Sequence, residues 1–314
     1  MSGDTLQKHP LFDQISLGIG TWAWGDRLFW EYGKEYHEEE IRQVFQLCLA
    51  SGIRFFDTAE IYGQGRSETL LGKFIRESDQ KVTVATKFMP FPWRLRKASL
   101  LRALQGSLNR LGLMVVDLYQ MHWPFPPVTI ETWMEAMIEA HQAGLIRAVG
   151  VSNYDRARME RAQNTLTRHG VQLASNQVEY HLLNRRIEKE GMLKQCHEQG
   201  IAVIAYSPLA QGVLSGKYTP ENLPSGPRRG RYGRRYLSAV QPLIRQLKKI
   251  GADNDGKTPA QVAINWAICK GTIPIPGIKT VAQFEQNLAA LGWQLSEEDI
   301  ARLDEVSDQV TLNL

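Results

Sequence analysis

Two kinds of apolar pattern alternate along this chain from one end to the other. Runs such as VTVATKF, VDLYQMH, RAVGVSN and AVIAYSP are short and nearly continuous in apolar residues. Strands covered on both faces read this way. Between them lie longer stretches with apolar residues three and four apart. HEEEIRQVFQLCLASG places Ile41, Val44, Phe45 and Leu49 at helical spacing, with Gly52 suited to the stop. Ser67 and Glu68 open a second helix that runs through Leu70, Leu71 and Phe74. KASLLRALQGSLNRLG, TIETWMEAMIEAHQAG, residues 155–169, RRIEKEGMLKQCHEQG, YLSAVQPLIRQLKKIG, TPAQVAINWAICKG and residues 281–291 continue the series. ISLGIGTW, RFFDTA, LASNQVEY and TIPIPGI complete the predicted strands.

About eight β/α units result, with no break in composition. Alternating strands and helices imply a parallel sheet with helices outside it. A closed eight-stranded (β/α)8 barrel of the TIM type needs ~250 residues. One such domain over residues 1–314 therefore fits better than an open doubly wound sheet with a cap. GKYTPENLPSGPRRGRYGRRY interrupts the rhythm after the seventh strand. It reads as a long loop, near 207–236, over the face formed by strand C-termini.

That face is where barrel active sites form, and the sequence supplies it with titratable groups. Asp57 and Tyr62 follow RFF, Lys87 closes VTVAT, and His122 follows VDLYQM. Tyrosine is a reluctant acid, with a pKa near 10. A lysine ammonium beside it favours the phenolate, and a carboxylate keeps that ammonium charged and aimed. Histidine can orient a carbonyl oxygen or relay a proton. The set suits protonation of an alkoxide as hydride reaches carbon: Tyr62 as acid, Lys87 tuning it, Asp57 anchoring Lys87, His122 orienting the carbonyl. Trp24, Phe29, Trp30, Trp93, Trp123 and Phe125 all lie just beyond strand ends, and Trp24, Trp93 and Trp123 are the expected pocket walls.

Composition narrows the field further. The chain has 314 residues, 22% of them charged, and a net charge of +4. No global field calls for nucleic acid or an anionic membrane. The three cysteines, Cys48, Cys196 and Cys269, stand far apart in apolar surroundings, as free thiols in a reducing compartment do. The N-terminus MSGDTLQKHP has no apolar signal core. The chain is expected to be cytoplasmic, without a membrane span. GIGTWA matches a dinucleotide fingerprint, but WGDRLFWEYG follows it in place of a helix, so a Rossmann unit is not expected. Asp57 and His122 alone do not make a metal site.

The segments FFDTAEIYGQGRSETLLG, VATKF, YQMHWP, VGVSN, SNQVEY, AYSPLAQGVLSGKY and IPIPGIKTVAQFEQN resemble the aldo-keto reductase family, in family order over nearly the whole chain. The last two resemble the branch that holds the potassium-channel β-subunits and related bacterial and plant reductases. The resemblance implies an NADPH-dependent reductase of aldehydes and ketones, with Asp57, Tyr62, Lys87 and His122 as its tetrad. The channel subunits carry asparagine in place of the histidine, so His122 favours turnover over the alternative, a redox-sensing regulatory subunit. A third reading makes Lys87 a Schiff-base lysine. The resemblance further implies cofactor contacts from Thr21, Trp22, Asp57, Ser152, Asn153 and Gln177. Tyr206 would stack on the nicotinamide. Ser207, Leu209, Gly212 and Lys217 would hold phosphate, and Gln283, Gln286 and Asn287 adenosine. Gly277 belongs to the same set, and Lys279, Thr280 and Arg228 suit a 2′-phosphate. Glu285 and Gln286 depart from the family, which often has arginine and glutamate there.

Overall fold

The computed structural model describes residues 9–311; the polar segment before His9 lies outside the described residues. Eight parallel strands run in chain order: β1 (Ile19–Gly20), β2 (Phe55–Asp57), β3 (Thr83–Phe88), β4 (Val116–Met121), β5 (Ile146–Ser152), β6 (Leu173–Glu179), β7 (Ala202–Tyr206) and β8 (Ile273–Ile275). The sheet returns on itself where Gly20 bridges Gly277 and Gly18 N–H donates to Pro274 O at 3.0 Å. This is the expected barrel. The helices that cover it are α1 (Glu38–Ala50), α2 (Arg66–Ser78), α3 (Lys97–Leu111), α4 (Ile130–Gln142), α5 (Arg156–Thr167), α6 (Arg186–Lys189), α7 (Met192–Glu198), α8 (Arg228–Arg231), α9 (Arg234–Asp253), α10 (Pro259–Cys269), α11 (Val281–Leu288) and α12 (Glu297–Thr311).

Local chemistry explains most of these boundaries. Thr129, Asp155, Thr258 and Thr280 each cap a helix by accepting a backbone N–H. Gly112 ends α3 in a left-handed conformation. Four expectations shift. The predicted first strand is mostly loop, with only Ile19–Gly20 paired. RRIEKEGMLKQCHEQG splits into α6 and α7 at Gly191, whose φ is +71°. Arg66 opens α2 one residue earlier than expected, Gly65 takes the cap position, and Ser67 is fully buried in the first turn. Helix α12 was not among the predicted elements. Arg185 and Lys270 tie it down through Asp304 at 3.2 and 2.5 Å.

The barrel interior is layered. Ala85, Ala148, Ala174 and Ala202 leave room near the N-terminal end, and Phe55 and Phe12 fill it. The two rings meet edge to face at 5.9 Å. Phe12 comes from a short 3-10 turn, Pro10–Phe12, that closes the bottom. Above this apolar floor the inward residues turn polar: Asp57, Lys87, Gln120 and Gln177 are all buried. No described helix is long and apolar enough to cross a membrane.

Candidate active site

The polar layer is built by the pleat. Side chains alternate across a strand, so Gln120 and His122, two apart, share the inward face. Asp57 ends β2, and its carboxylate is the hub. Its Oδ1 accepts from Lys87 Nζ at 2.5 Å. Its Oδ2 accepts from Gln177 Nε2 at 2.7 Å and Gln120 Nε2 at 3.1 Å. Lys87 Nζ also donates to Thr58 O at 2.7 Å and Tyr62 OH at 3.3 Å. All three ammonium hydrogens are thereby used, and the ion pair is closed to water.

Tyr62 stands on the 3-10 turn after β2, half-buried and facing the cavity. Burial raises the pKa of its phenol, and Lys87 pulls the other way without cancelling that rise. The expected lowering by lysine is thus present but outweighed. Burial also opposes the charge on Lys87, yet Asp57 and Tyr62 together hold its pKa above the usual lysine value. His122 packs edge-on against Tyr62, ring centroids 5.7 Å apart. Burial, then the Lys87 charge, depress its pKa well below 6.5, so the imidazole is neutral. Its Nδ1 is buried with no hydrogen-bond partner.

These groups open on a cavity of about 910 Å³. Ser152, Asn153, Gln177 and Tyr206 line one side, joined in a chain. Tyr206 OH donates to Asn153 Oδ1 at 3.0 Å, and Ser152 Oγ donates to Gln177 O at 2.9 Å. Ser207, Ala210, Gln211 and Gly212 all have positive φ. The N–H groups of Ala210 and Gly212 turn back onto Ser207 O and Leu209 O at 2.8 and 2.9 Å, and Ser207, Leu209, Gln211 and Gly212 border the cavity. Lys217, Arg228 and Lys279 supply positive charge around it. Thr280 caps α11, and Lys279 N–H donates back to Gln283 Oε1 at 2.8 Å. Gly277, Leu209, Gln286 and Asn287 complete the rim, whereas exposed Glu285 is not part of it.

Three expected residues lie elsewhere. Thr21 is fully buried; its hydroxyl donates to Asp57 O at 3.0 Å and meets Ser67 Oγ at 2.7 Å. Trp22, beside it, does border the cavity. Trp24 is buried behind the barrel wall against Phe56 and Phe74, with its indole N–H on Ile278 O at 3.0 Å. Trp93 is 71% exposed and stacks on Phe91 away from the cavity. Trp30 and Trp123 are the outer tryptophans that do line it, with Phe29 stacked on Trp22 and Phe125 on Trp123. Sequence reasoning missed Gln120, Glu179 and Arg231. The first two sit two residues from His122 and Gln177, a period-2 signal that was available. Arg231, 3.2 Å from Glu179 across the loop, left no such signal.

Comparisons with known proteins agree with this architecture. A model of the aldo/keto reductase family matches residues 16–308. The chloroplastic pyridoxal reductase of Arabidopsis thaliana is 43% identical over 92% of this chain and 82% of its own length. An aldo-keto reductase of Bacillus subtilis is 32% identical over 90% of this chain and 87% of its own. Among solved structures, the glycerol dehydrogenase of Gluconobacter oxydans superposes with a TM-score of 0.84 at 26% identity, covering 96% and 95% of the two chains. An aldo-keto reductase of Klebsiella pneumoniae in complex with NADPH gives 0.71 at 30% identity, covering 92% and 90%.

Proposed function

The chain belongs to the aldo/keto reductase family, and from that premise we propose that it reduces aldehyde and ketone carbonyls to alcohols with NADPH. The observation that carries this reading is the buried Asp57–Lys87–Tyr62 chain, which ends in a neutral phenol at the cavity. The residues present fit the cofactor. The turn at 207–212, left-handed at Ser207 and at Ala210, Gln211 and Gly212 and with no side chain at Gly212, would let a pyrophosphate approach the backbone closely. Lys217, Arg228 and Lys279 match its charge, and the Thr280 cap with the start of α11 favours a 2′-phosphate. Glu285, exposed and away from this surface, does not oppose it. Gln177, Ser152 and Asn153 present hydrogen-bonding groups suited to a carboxamide, and Tyr206 a ring face.

Bound NADPH supplies the hydride. The protein does the rest. Tyr62 carries the proton that the nascent alkoxide takes. Lys87 stabilises the phenolate left behind, and Asp57 keeps Lys87 charged and aimed. Neutral His122 orients the carbonyl oxygen without competing as an acid. Trp22, Trp30 and Trp123 give the cavity apolar, planar walls, suited to aromatic or compact apolar carbonyls.

The test is NADPH consumption, followed by loss of its near-ultraviolet absorbance, over a panel of aldehydes and ketones and repeated with NADH. Pyridoxal heads the panel because the 43%-identical relative is a pyridoxal reductase. Turnover with NADPH supports the proposal. NADPH binding with no turnover on any carbonyl would refute it in favour of a regulatory subunit. A borohydride-trapped adduct on Lys87 would refute it in favour of Schiff-base chemistry.

A further inference from the structure

Gln120 is fully buried on β4 and borders neither the cavity nor solvent. In strand register it stands opposite Lys87 on one side and Gly150 on the other. Its Nε2 donates to Asp57 Oδ2 at 3.1 Å, and its Oε1 lies 3.5 Å from Gln177 Nε2. Gln177 Nε2 reaches the same Asp57 oxygen at 2.7 Å. The polarity of this cluster follows from chemistry. A carboxylate only accepts, so both amides must turn nitrogen toward Asp57. The two hydrogens of Gln177 Nε2 then point at Asp57 and at Gln120 Oε1. What remains of the Gln177 amide for a ligand in the cavity is its oxygen.

The fold makes room for this arrangement. A Cβ on Gly150 would stand 2.9 Å from Gln120 Cγ and 2.6 Å from Ser175 Oγ. Any larger residue at 150 would have to displace Ser175 Oγ or Gln120 Cγ. A buried primary amide between strands of an apolar barrel costs desolvation unless each polar end is met, and here both ends are met inside the polar layer.

We propose that Gln120 is a positioning residue: it holds the Asp57 carboxylate, which orients the Gln177 amide and pairs with Lys87, and its Oε1 takes the second hydrogen of that amide. It acts through both and touches neither substrate nor cofactor. The inference rests on the proposed function, in which Gln177 meets the cofactor carboxamide. A carboxamide's NH2 group needs an acceptor; without Gln120, Asp57 loses one of its donors and the second Gln177 hydrogen loses its partner, so the Gln177 oxygen is held less firmly toward that NH2.

The variants Q120M and Q120E test this. Methionine keeps the length and flexibility of glutamine without its polar ends. NADPH affinity is read from quenching of tryptophan fluorescence, alongside kcat, KM for the carbonyl, and thermal unfolding. Q120M is expected to bind NADPH about tenfold more weakly and to lose about tenfold in kcat, the scale of one hydrogen bond made to a charged group. KM for the carbonyl should stay within about twofold, because Gln120 borders no part of the cavity. A purely structural role would lower thermal stability and the active fraction while leaving the NADPH dissociation constant unchanged; that result, or wild-type values throughout, overturns the proposal. Should Q120M fail to fold, Q120E decides. It keeps the shape and places a second carboxyl beside Asp57, so weakened NADPH affinity supports the proposal and unchanged affinity overturns it. A wild-type protein that binds NADPH but reduces no carbonyl would sink the proposed function, while the affinity comparison would still decide the role of Gln120.

Discussion

Replacing Lys87 with methionine separates the two jobs its ammonium performs. The first is structural. Asp57 would keep the Gln120 and Gln177 donors but lose its counter-ion at 2.5 Å, in a site closed to water. Orphaning one member of a buried pair costs about 3–5 kcal/mol, a large part of a typical stability of ~5–15 kcal/mol. At ~2–4 °C per kcal/mol for large domains, the midpoint of thermal unfolding should fall by about 6–20 °C. The second job is chemical. Tyr62 would lose its ammonium donor at 3.3 Å, worth ~1.5–3 kcal/mol as a charge-assisted bond. Its loss moves the phenol's pKa further up, on top of the rise that burial already causes. Turnover should drop by ~10²-fold or more, within the range of general-acid effects. The pair K87M and K87M/D57N, compared by calorimetry and NADPH-coupled kinetics, divides the effects. The double variant removes the orphaned charge, so it should regain much of the lost stability and none of the lost turnover. Because Lys87 has a raised pKa, the stability difference should be full at neutral pH and fade only as pH climbs through and beyond the ordinary lysine range near 10.5. A K87M midpoint within about 2 °C of wild type, or activity restored by D57N, would refute this account of the site.

Other perturbations test neighbouring parts. Tyr62→Phe should lower kcat/KM by ~10²–10⁴-fold with NADPH affinity within about twofold, because Lys87 keeps Asp57 and Thr58 O as acceptors; wild-type turnover would remove Tyr62 as the acid. Reduction should be flat between about pH 6 and 8, since His122 titrates well below 6.5 and the Tyr62 phenol above 10; an inflection in that window that disappears in His122→Asn would contradict the neutral imidazole. Burial favours protonated Glu179, but His181 and Arg231 outweigh it and bring its pKa from 4.5 to about 2. Its contribution, roughly 3 kcal/mol at most, is present above pH 4.5 and lost as pH falls toward 2, so the stability of Glu179→Gln should depend less on pH there; equal slopes would contradict the assignment. Lys279→Met should weaken NADPH by about tenfold and NADH much less, measured by fluorescence quenching, and equal loss for both would take Lys279 off the 2′-phosphate.

The barrel and the placement of Asp57, Lys87 and His122 on one face were legible because both follow from short-range pattern. Apolar runs ending in Asp57, Lys87 and His122 specify a strand and its C-terminal end, and parallel strands send those ends to one face. What was not legible depends on closure. Trp24 and Trp30 follow the same strand end, and nothing local tells them apart. Trp24 is drawn behind the wall by Ile278 O, 254 residues along the chain, and that contact exists only once β1 has met the end of β8. Thr21 is turned inward for a similar reason, by a hydroxyl cluster with Ser67 and Thr58. Helix α12 depends on the Arg185 and Lys270 pairs to Asp304, which join three distant segments. Net charge effects fall in the same class. The chain order shows that Lys87 sits near Tyr62, but only the packed site shows that burial outweighs it.

That imbalance does not count against Tyr62 as an acid. Burial penalises any anion at this spot, whether phenolate or alkoxide. Proton transfer from Tyr62 to a neighbouring alkoxide exchanges one such anion for the other, so most of the burial cost cancels across the step. The cation does not cancel in the same way. In the proposed reaction the cavity end of the site would hold a neutral phenol and a neutral carbonyl before hydride transfer and an anion after it. In that reaction Lys87, 3.3 Å from the phenol oxygen, would stabilise the charge that develops and add little before it appears, which is the condition for lowering the barrier. Removing water strengthens that Coulomb attraction. The same burial that raises the resting phenol's pKa thus increases what Lys87 can contribute during the reaction, provided Asp57 keeps the ammonium in place.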